Sequence, residues 1–315
     1  MILTGTFRKF FLIFLLSLTL ISSLLPQGIC LRTVKVIRKA SFVNFSSDLS
    51  ILGYDKVDSW RRNSVTDLPE CYSQLYFTVL NRGTILHNLS WTTMLKGSLI
   101  NFKIGTLVTG YNTVSGVAIL SEYEDFGIPY NLRVYLTAPT SAGYIYTYSE
   151  HAWTVNFPRY MPLEIASLYI TPNNLQVKNL FNEITATPSI LPVWYRLNNW
   201  IYWNIHYRDD SEAHGMRDYW QLPHETINLR TGDCEDKAIL LCSLLRLAGY
   251  DENSVFVIVG YTSTTGHAWV RVNIGGIWTD LDPTNDPIGV IGGLISWAIF
   301  QEAYKFNDKY FEVLK

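Results

Sequence analysis

The segment from Asp233 to Gly249 constrains the fold more than any other part of the chain. Asp233 suits a helix N-cap position, and the acidic residues that follow Cys234 favour the positive end of a helix dipole. Gly249 is a natural residue to end the helix. The residues between these ends are mostly apolar, so the pattern predicts a central, largely buried helix whose N-terminus can open to a cleft.

Cys234 stands at the first position of this helix. Unpaired backbone N–H groups and the helix dipole stabilise a thiolate at such a position, and a neighbouring imidazolium does so further. Gly232, just before it, allows close approach of a substrate. Cys242 lies inside the same helix and fits the usual fate of a free cysteine, a small buried hydrophobe. We therefore interpret Cys234 as the candidate nucleophile.

A hairpin downstream of the helix carries the candidate base. Residues 255–261 have the pattern of a buried strand, and residues 267–272 alternate between two faces. Gly275 and Gly276 are typical of a two-residue hairpin loop.

The register of that hairpin selects one of two aspartates. A two-residue loop pairs Arg271 with Asp280 and places Asp282 diagonal to His267 on the same face, within about 7–8 Å. Asp280 is then too far along the strand from His267. A three-residue loop would turn Asp282 to the other face. The sequence thus predicts Cys234 as nucleophile, His267 as base and Asp282 as the residue that orients the base.

The other histidines and cysteines receive structural interpretations. No C-x-x-C or H-E-x-x-H spacing is present, so we expect no metal site and no cofactor. Cys234 and Cys242 would lie about 12 Å apart along one helix, too far for a disulfide. The Asp209–Asp210 pair is interpreted as a solvated turn. The histidines taken as structural are His87, His151, His206, His214 and His224.

Residues 31–165 are predicted to form a β-rich, antiparallel, sandwich-like domain. Residues 132–137 alternate between apolar and polar, as in a half-buried strand. Thr171 followed by a proline predicts a helix start, and residues 193–203 predict a second helix. We place a domain boundary near residue 165, so that residues 166–315 form the second domain.

The first 30 residues predict a secretory signal peptide or an uncleaved signal anchor. Arg8 and Lys9 precede an apolar run that extends to Pro26. We therefore expect an extracytoplasmic protein, either secreted or held at the membrane by this segment. A formal net charge of -2 argues against nucleic-acid binding.

The motifs around the three candidate residues resemble those of the transglutaminase-like superfamily, which shares its core with papain-type thiol proteases. The resemblance covers about residues 170–315. It implies an α+β fold, with the nucleophile at the N-terminus of a central helix packed on an antiparallel sheet. The matching stretches are Leu229-Arg230-Thr231-Gly232-Asp233-Cys234-Glu235-Asp236-Lys237-Ala238, residues 244–249, His267-Ala268-Trp269-Val270 and residues 278–284.

The resemblance implies a cysteine enzyme that acts on protein or peptide amides through a thioester, by hydrolysis or by transfer to an amine. It leaves the oxyanion donor open among Trp200, Trp203 and the backbone N–H of Cys234. The alternative is an envelope-associated binding or structural protein whose triad domain is catalytically silent, because fold alone does not establish activity.

Overall fold

The computed structural model describes residues 43–45, 48–95, 98–121, 126–141, 143–285 and 300–314. The predicted signal peptide or anchor, residues 1–30, lies outside these ranges and remains a prediction. Within the described ranges, no helix combines the length and the apolar character needed to cross a membrane.

The N-terminal part of the described chain is β-rich, as the sequence predicts. One sheet has the strand order β1-β8-β7-β4-β5 and a second has the order β2-β3-β6. Both are antiparallel except that β1 pairs with β8 in parallel. The strands are β1 (Val43–Phe45), β2 (Leu49–Arg62), β3 (Pro69–Asn81), β4 (Leu86–Leu95), β5 (Ser98–Leu107), β6 (Gly110–Leu120), β7 (Tyr130–Thr140) and β8 (Gly143–Trp153).

Alternating side chains build the core of this β-rich region. On β7, Leu132, Val134 and Leu136 are fully buried, while the residues between them face outward. They share one core cluster with Trp91 on the neighbouring strand β4 and with Phe77 on β3 of the other sheet. This is the period-two pattern of a sheet with one buried face, which confirms the sequence prediction for residues 132–137.

The C-terminal part packs helices against another sheet, which is antiparallel and has five strands. Its helices are α1 (Leu175–Thr185), α2 (Val193–Asn204), α3 (Asp210–Ala213), α4 (Pro223–Leu229) and α5 (Cys234–Leu247), and a 3-10 helix spans Leu163–Tyr169. Its strands are β9 (His206–Tyr207), β10 (Thr231–Gly232), β11 (Val255–Tyr261), β12 (Gly266–Ile274), β13 (Ile277–Leu281), β14 (Gln301–Phe306) and β15 (Phe311–Val313).

The sheet has the order β13-β12-β11-β14-β15, and α5 packs on β11 and β12. Residues 238–242 and 244–245 of α5 are completely buried, as are Val255, Val257, Val270 and Val272 of the sheet. The predicted α+β architecture, with a central helix on an antiparallel sheet, is therefore confirmed.

The start of α1 differs from the prediction. Asn174 is the N-cap residue, and its side chain accepts a hydrogen bond from the Gln176 N–H at 3.0 Å. Thr171, the predicted cap, lies before the helix. It is buried, and its N–H donates to Ser243 Oγ on α5 at 3.1 Å. This tertiary contact overrides the local capping signal. The second predicted helix is confirmed as α2.

The β-rich region and the helical region are in direct contact. Arg62 donates to the carbonyl oxygen of Ser167 at 2.5 Å and to Asp67 Oδ1 at 3.1 Å. The second carboxylate oxygen of Asp67 accepts from the Asn173 N–H at 2.7 Å. The division at about residue 165 remains a prediction.

Candidate functional site

Helix α5 presents Cys234 at its first residue. Asp233 is the N-cap residue, and its N–H donates to Asp236 Oδ2 at 3.4 Å. A Cβ on Gly232 would lie 2.7 Å from the Cβ of Asp236, so only glycine fits this approach to the helix. Gly249, with φ +98°, follows the C-cap and takes the left-handed conformation that ends the helix. The predicted helix, with both of its ends, is confirmed.

The hairpin of β12 and β13 has the predicted register. Arg271 pairs with Asp280, and Val270 pairs with Leu281. Gly275 and Gly276 have φ values of 61° and 93°, as a type I′ turn requires. Arg271 binds Asp280 through two hydrogen bonds of 2.7 and 2.8 Å, so this aspartate is committed to an ion pair.

Asp282 contacts His267, as the register predicts. Nε2 of His267 lies 2.8 Å from Asp282 Oδ2. Because a carboxylate only accepts, Nε2 carries the proton in this hydrogen bond, and Nδ1 is left to exchange a proton with another group. Asp282 is 4% exposed and also accepts from Thr284 N–H at 2.9 Å, Thr284 Oγ1 at 2.6 Å and Asn285 Nδ2 at 2.5 Å. The imidazole therefore has a fixed tautomer and orientation.

The Cys234 thiol lies at the backbone of Ala268, the residue that follows His267. The Ala268 N–H acts on the sulfur and lowers the thiol pKa. Burial acts in the opposite direction and dominates, followed by the charges of Glu235 and Asp233, so the pKa of Cys234 is raised well above its ordinary value. The thiol donates to Glu235 Oε2 at 3.3 Å. The thiol thus lies beside the residue that follows His267 on β12, next to an acidic side chain that raises its pKa.

That acidic group is a cluster of carboxyls beside the helix N-terminus, which we define as Asp210, Asp218, Asp233, Glu235 and Asp236. Burial is the first cause of each raised pKa, and neighbouring carboxylates raise it further for all of them except Asp218. The pKa rises to about 6 for Asp210, about 8 for Glu235 and about 10 for Asp233. The pKa of Asp236 is raised well above its usual range.

The acidic cluster has the donor set of a hard divalent cation. Carboxylate oxygens of Asp210, Asp218 and Glu235 lie within 4.8 Å of one another, as do those of Asp210, Asp233 and Asp236. Glu235 Oε1 and Asp210 Oδ1 have no hydrogen-bond partner among the described residues. Ca²⁺ takes several oxygen ligands of this kind.

No motif in the sequence predicts this cluster. Asp210 is not the solvated turn residue that was predicted. It begins α3, is 3% exposed, and accepts from the Tyr219 N–H at 2.5 Å. The cluster joins three separate segments, so no local spacing could have identified it.

The two tryptophans considered as oxyanion donors lie on α2 in a different setting. Trp203 Nε1 donates to Asn199 Oδ1 at 3.1 Å, so that N–H is already used within its own helix. The Arg230 guanidinium lies 4.9 Å from the Trp200 ring. Both rings line a cavity of about 360 Å³ with Tyr195 and Leu191, and none of its lining residues is a candidate triad residue.

Comparison with known proteins gives a family match and likenesses to solved structures. Residues 178–283 match the model of the transglutaminase-like superfamily. Legionella pneumophila LapG is 17% identical over 50% of this chain and 91% of its own, with a TM-score of 0.35. Its calcium-bound form is 20% identical over 44% of this chain and 76% of its own, with a TM-score of 0.34. A comparison with curated protein sequences finds no match.

The matched range contains α5, the hairpin and all three candidate residues, Cys234, His267 and Asp282. It also agrees with the observed fold, in which a central helix packs on an antiparallel sheet. Residues 178–283 therefore form a domain of the transglutaminase-like superfamily.

Proposed function

We propose that this protein is a cysteine enzyme that acts on amide bonds of proteins or peptides through a thioester. Cys234 is the nucleophile, His267 the base and Asp282 the residue that orients it. The observation that carries the proposal is the 2.8 Å hydrogen bond between His267 Nε2 and Asp282 Oδ2, next to the backbone that contacts the Cys234 thiol.

The proposed reaction has two halves. The Cys234 sulfur attacks the amide carbonyl carbon while its proton passes to His267 Nδ1. The C–N bond then breaks, and His267 returns the proton to the leaving amine, so that a thioester remains. In the second half, water or an amine attacks the thioester carbonyl carbon, the C–S bond breaks and the acyl product leaves. The proton lost by the attacking group passes to the sulfur and restores the thiol.

Alkylation of the full chain by iodoacetamide near pH 6 tests the first half. We expect Cys234 to react faster than an ordinary thiol, and a Cys234→Ala variant to lose that labelling. Cys242 is the internal control because it is a buried thiol with a raised pKa on the same helix. Labelling of Cys234 at the rate of an ordinary thiol would contradict the proposal.

A glutamine-containing peptide tests the second half. Release of ammonia without an added amine supports hydrolysis, and incorporation of an added amine supports transfer. Cys234→Ala should abolish both. Unchanged turnover by that variant would show that another group is responsible.

The alternative proposal is a silent scaffold, and one observation favours it. The Cys234 thiol is hydrogen bonded to Glu235, and its pKa is raised by burial and by the adjacent acids. Replacing Glu235 by Gln distinguishes the two proposals. In an enzyme, removing the negative neighbour leaves a reactive thiol or makes it more reactive. In a scaffold, the thiol stays inert in both forms.

We also propose an extracytoplasmic location, on the basis of the apolar run behind Arg8 and Lys9. Mass analysis of the N-terminus of the protein from membrane and medium fractions tests it. Loss of about the first 30 residues supports secretion, and an intact N-terminus in the membrane fraction supports an anchor. An intact chain confined to the cytoplasm contradicts both.

A further inference from the structure

Lys237 is a buried lysine close to the candidate site. It lies three residues after Cys234 on α5, so the two side chains share one face of the helix. Lys237 is 2% exposed, and its side chain is one of the largest completely buried ones in the part of the chain that the structure describes. Helix α5 therefore carries two chemically active groups, a thiol and an ammonium, about one turn apart.

This placement is unfavourable on local grounds. A cation in the first turn of a helix opposes the helix dipole. A buried ammonium also loses its hydration, and that loss must be compensated by a counter-charge or by hydrogen bonds. Burial accordingly lowers the pKa of Lys237 to about 8, and the charge of Asp282 acts in the opposite direction. Because Lys237 opposes the helix dipole and has lost its hydration, it needs a partner that compensates for both.

The partner lies in the segment that carries Asp282. Lys237 Nζ donates to the carbonyl oxygen of Pro283 at 3.4 Å, and its charge is attracted to the neighbouring carboxylate of Asp282. The same carboxylate is hydrogen bonded to His267, Thr284 and Asn285. Below about pH 8, Lys237 thus supplies a positive charge near Asp282 from the side of α5.

We propose that Lys237 is a positioning residue: its ammonium is the buried counter-ion that fixes the Asp282 carboxylate and its loop in the orientation that binds His267. The catalytic meaning of this role rests on the proposed function. When Cys234 is a thiolate and His267 an imidazolium, Asp282 and Lys237 complete a set of four groups with zero net charge. Without Lys237, the buried set carries an uncompensated negative charge.

The test compares Lys237→Met and Lys237→Arg in the full chain, with Lys309→Met as the control because Lys309 is 57% exposed. Two quantities are measured: the rate of Cys234 alkylation and the nitrogen-bound proton signal of His267, assigned with His267→Gln. We expect Lys237→Met to slow alkylation by about tenfold, the scale on which loss of an outer partner acts. It should also shift the His267 signal, and Lys237→Arg should restore part of both.

A second comparison separates positioning from a purely structural role. If Lys237 acts through Asp282, adding Lys237→Met to Asp282→Asn slows alkylation no further. An equal slowing in both backgrounds, or an unchanged His267 signal, would overturn the proposal. If Lys237→Met does not fold, rescue of folding by Asp282→Asn supports the counter-ion role, and failure of the double variant contradicts it.

The two proposals fail separately. If Cys234 of the unchanged protein is no more reactive than an ordinary thiol, the proposed function fails. The His267 signal still reports whether Lys237 fixes Asp282. If Cys234 is reactive but the His267 signal is the same with and without Lys237, only the positioning role fails.

Discussion

Asp280 and Asp282 are near neighbours in the chain and point to the same face of the hairpin, yet they bind different partners. Asp280 is paired with Arg271, which also binds Glu302 at 2.8 and 3.0 Å. Asp282 is bound to His267. At the scale of single residues, therefore, one carboxylate stabilises the sheet and the other holds the imidazole.

This difference predicts opposite results for two matched substitutions. Asp282→Asn should slow Cys234 alkylation by about a hundredfold, the lower part of the range for loss of general base function. Asp280→Asn should leave the rate within about twofold, because its partly exposed ion pair contributes little beyond stability. Alkylation followed by intact mass measures both variants. Equal slowing by the two variants would contradict the assignment of Asp282.

Glu235 predicts how stability depends on pH. Its pKa is raised by burial to about 8 in the folded protein, against about 4.3 in an unfolded chain. A group whose pKa is higher in the folded than in the unfolded protein contributes fully to the free energy of unfolding below its unfolded-state pKa. That contribution is lost as the pH rises through its folded-state pKa. Tm should therefore fall between about pH 4 and pH 8, and Glu235→Gln should flatten this fall.

Glu312→Gln is the matched control, because Glu312 is 58% exposed and should leave the slope unchanged. A Tm that rises from pH 4 to pH 8 in the unchanged protein would contradict the raised pKa.

At the scale of elements, the two-residue loop at Gly275 and Gly276 sets which face Asp282 occupies. Inserting one glycine between them should turn Asp282 away from His267 and abolish fast alkylation, because a shift of one residue reverses the faces of a strand. Inserting two glycines keeps the pairing and should retain most of the rate. Fast alkylation in the one-residue insertion would show that the register does not position Asp282.

The elements that could be predicted are those with local signals. The cap at Asp233, the end at Gly249 and the turn at Gly275 each depend on a few neighbouring residues, and they establish α5 and the hairpin register. These two elements place Cys234 beside the strand of His267.

The remaining features depend on contacts between distant segments. The burial of Asp210, the contact of Lys237 with Pro283 and the parallel pairing of β1 with β8 join residues far apart in the chain. The start of α1 differs from the predicted one for the same reason, because the Thr171 N–H donates to Ser243 on α5. Local periodicity contains no information on which segments meet.

At the scale of the whole molecule, aromatic side chains join the two hydrophobic cores. Trp60 and Phe126 pack against both cores, and the Trp60 ring lies 5.0 Å from that of Phe157. Beside them, Asp67 links Arg62 to Asn173 through a buried carboxylate. The two regions are thus connected by packing and by charged hydrogen bonds.

This connection predicts that a change in the β-rich region destabilises the helical region. Asp67→Asn should lower the free energy of unfolding by about 1.5–3 kcal/mol, the contribution of hydrogen bonds to a charged group. Asparagine tolerates the left-handed backbone of this position, where φ is 60°. Denaturant unfolding measures the effect, with the exposed Asp55→Asn as control. Equal stability of the two variants would show that the link is energetically neutral.

The central claim is that Cys234, His267 and Asp282 act as a unit, and one set of rates tests it. Cys234 alkylation is measured in the unchanged protein, in His267→Gln, in Asp282→Asn and in the double variant. If Asp282 acts through His267, the double variant reacts as slowly as His267→Gln and no slower, because residues that act as a unit are not additive. Rates that multiply in the double variant, or that equal the unchanged rate in all four proteins, would contradict the claim.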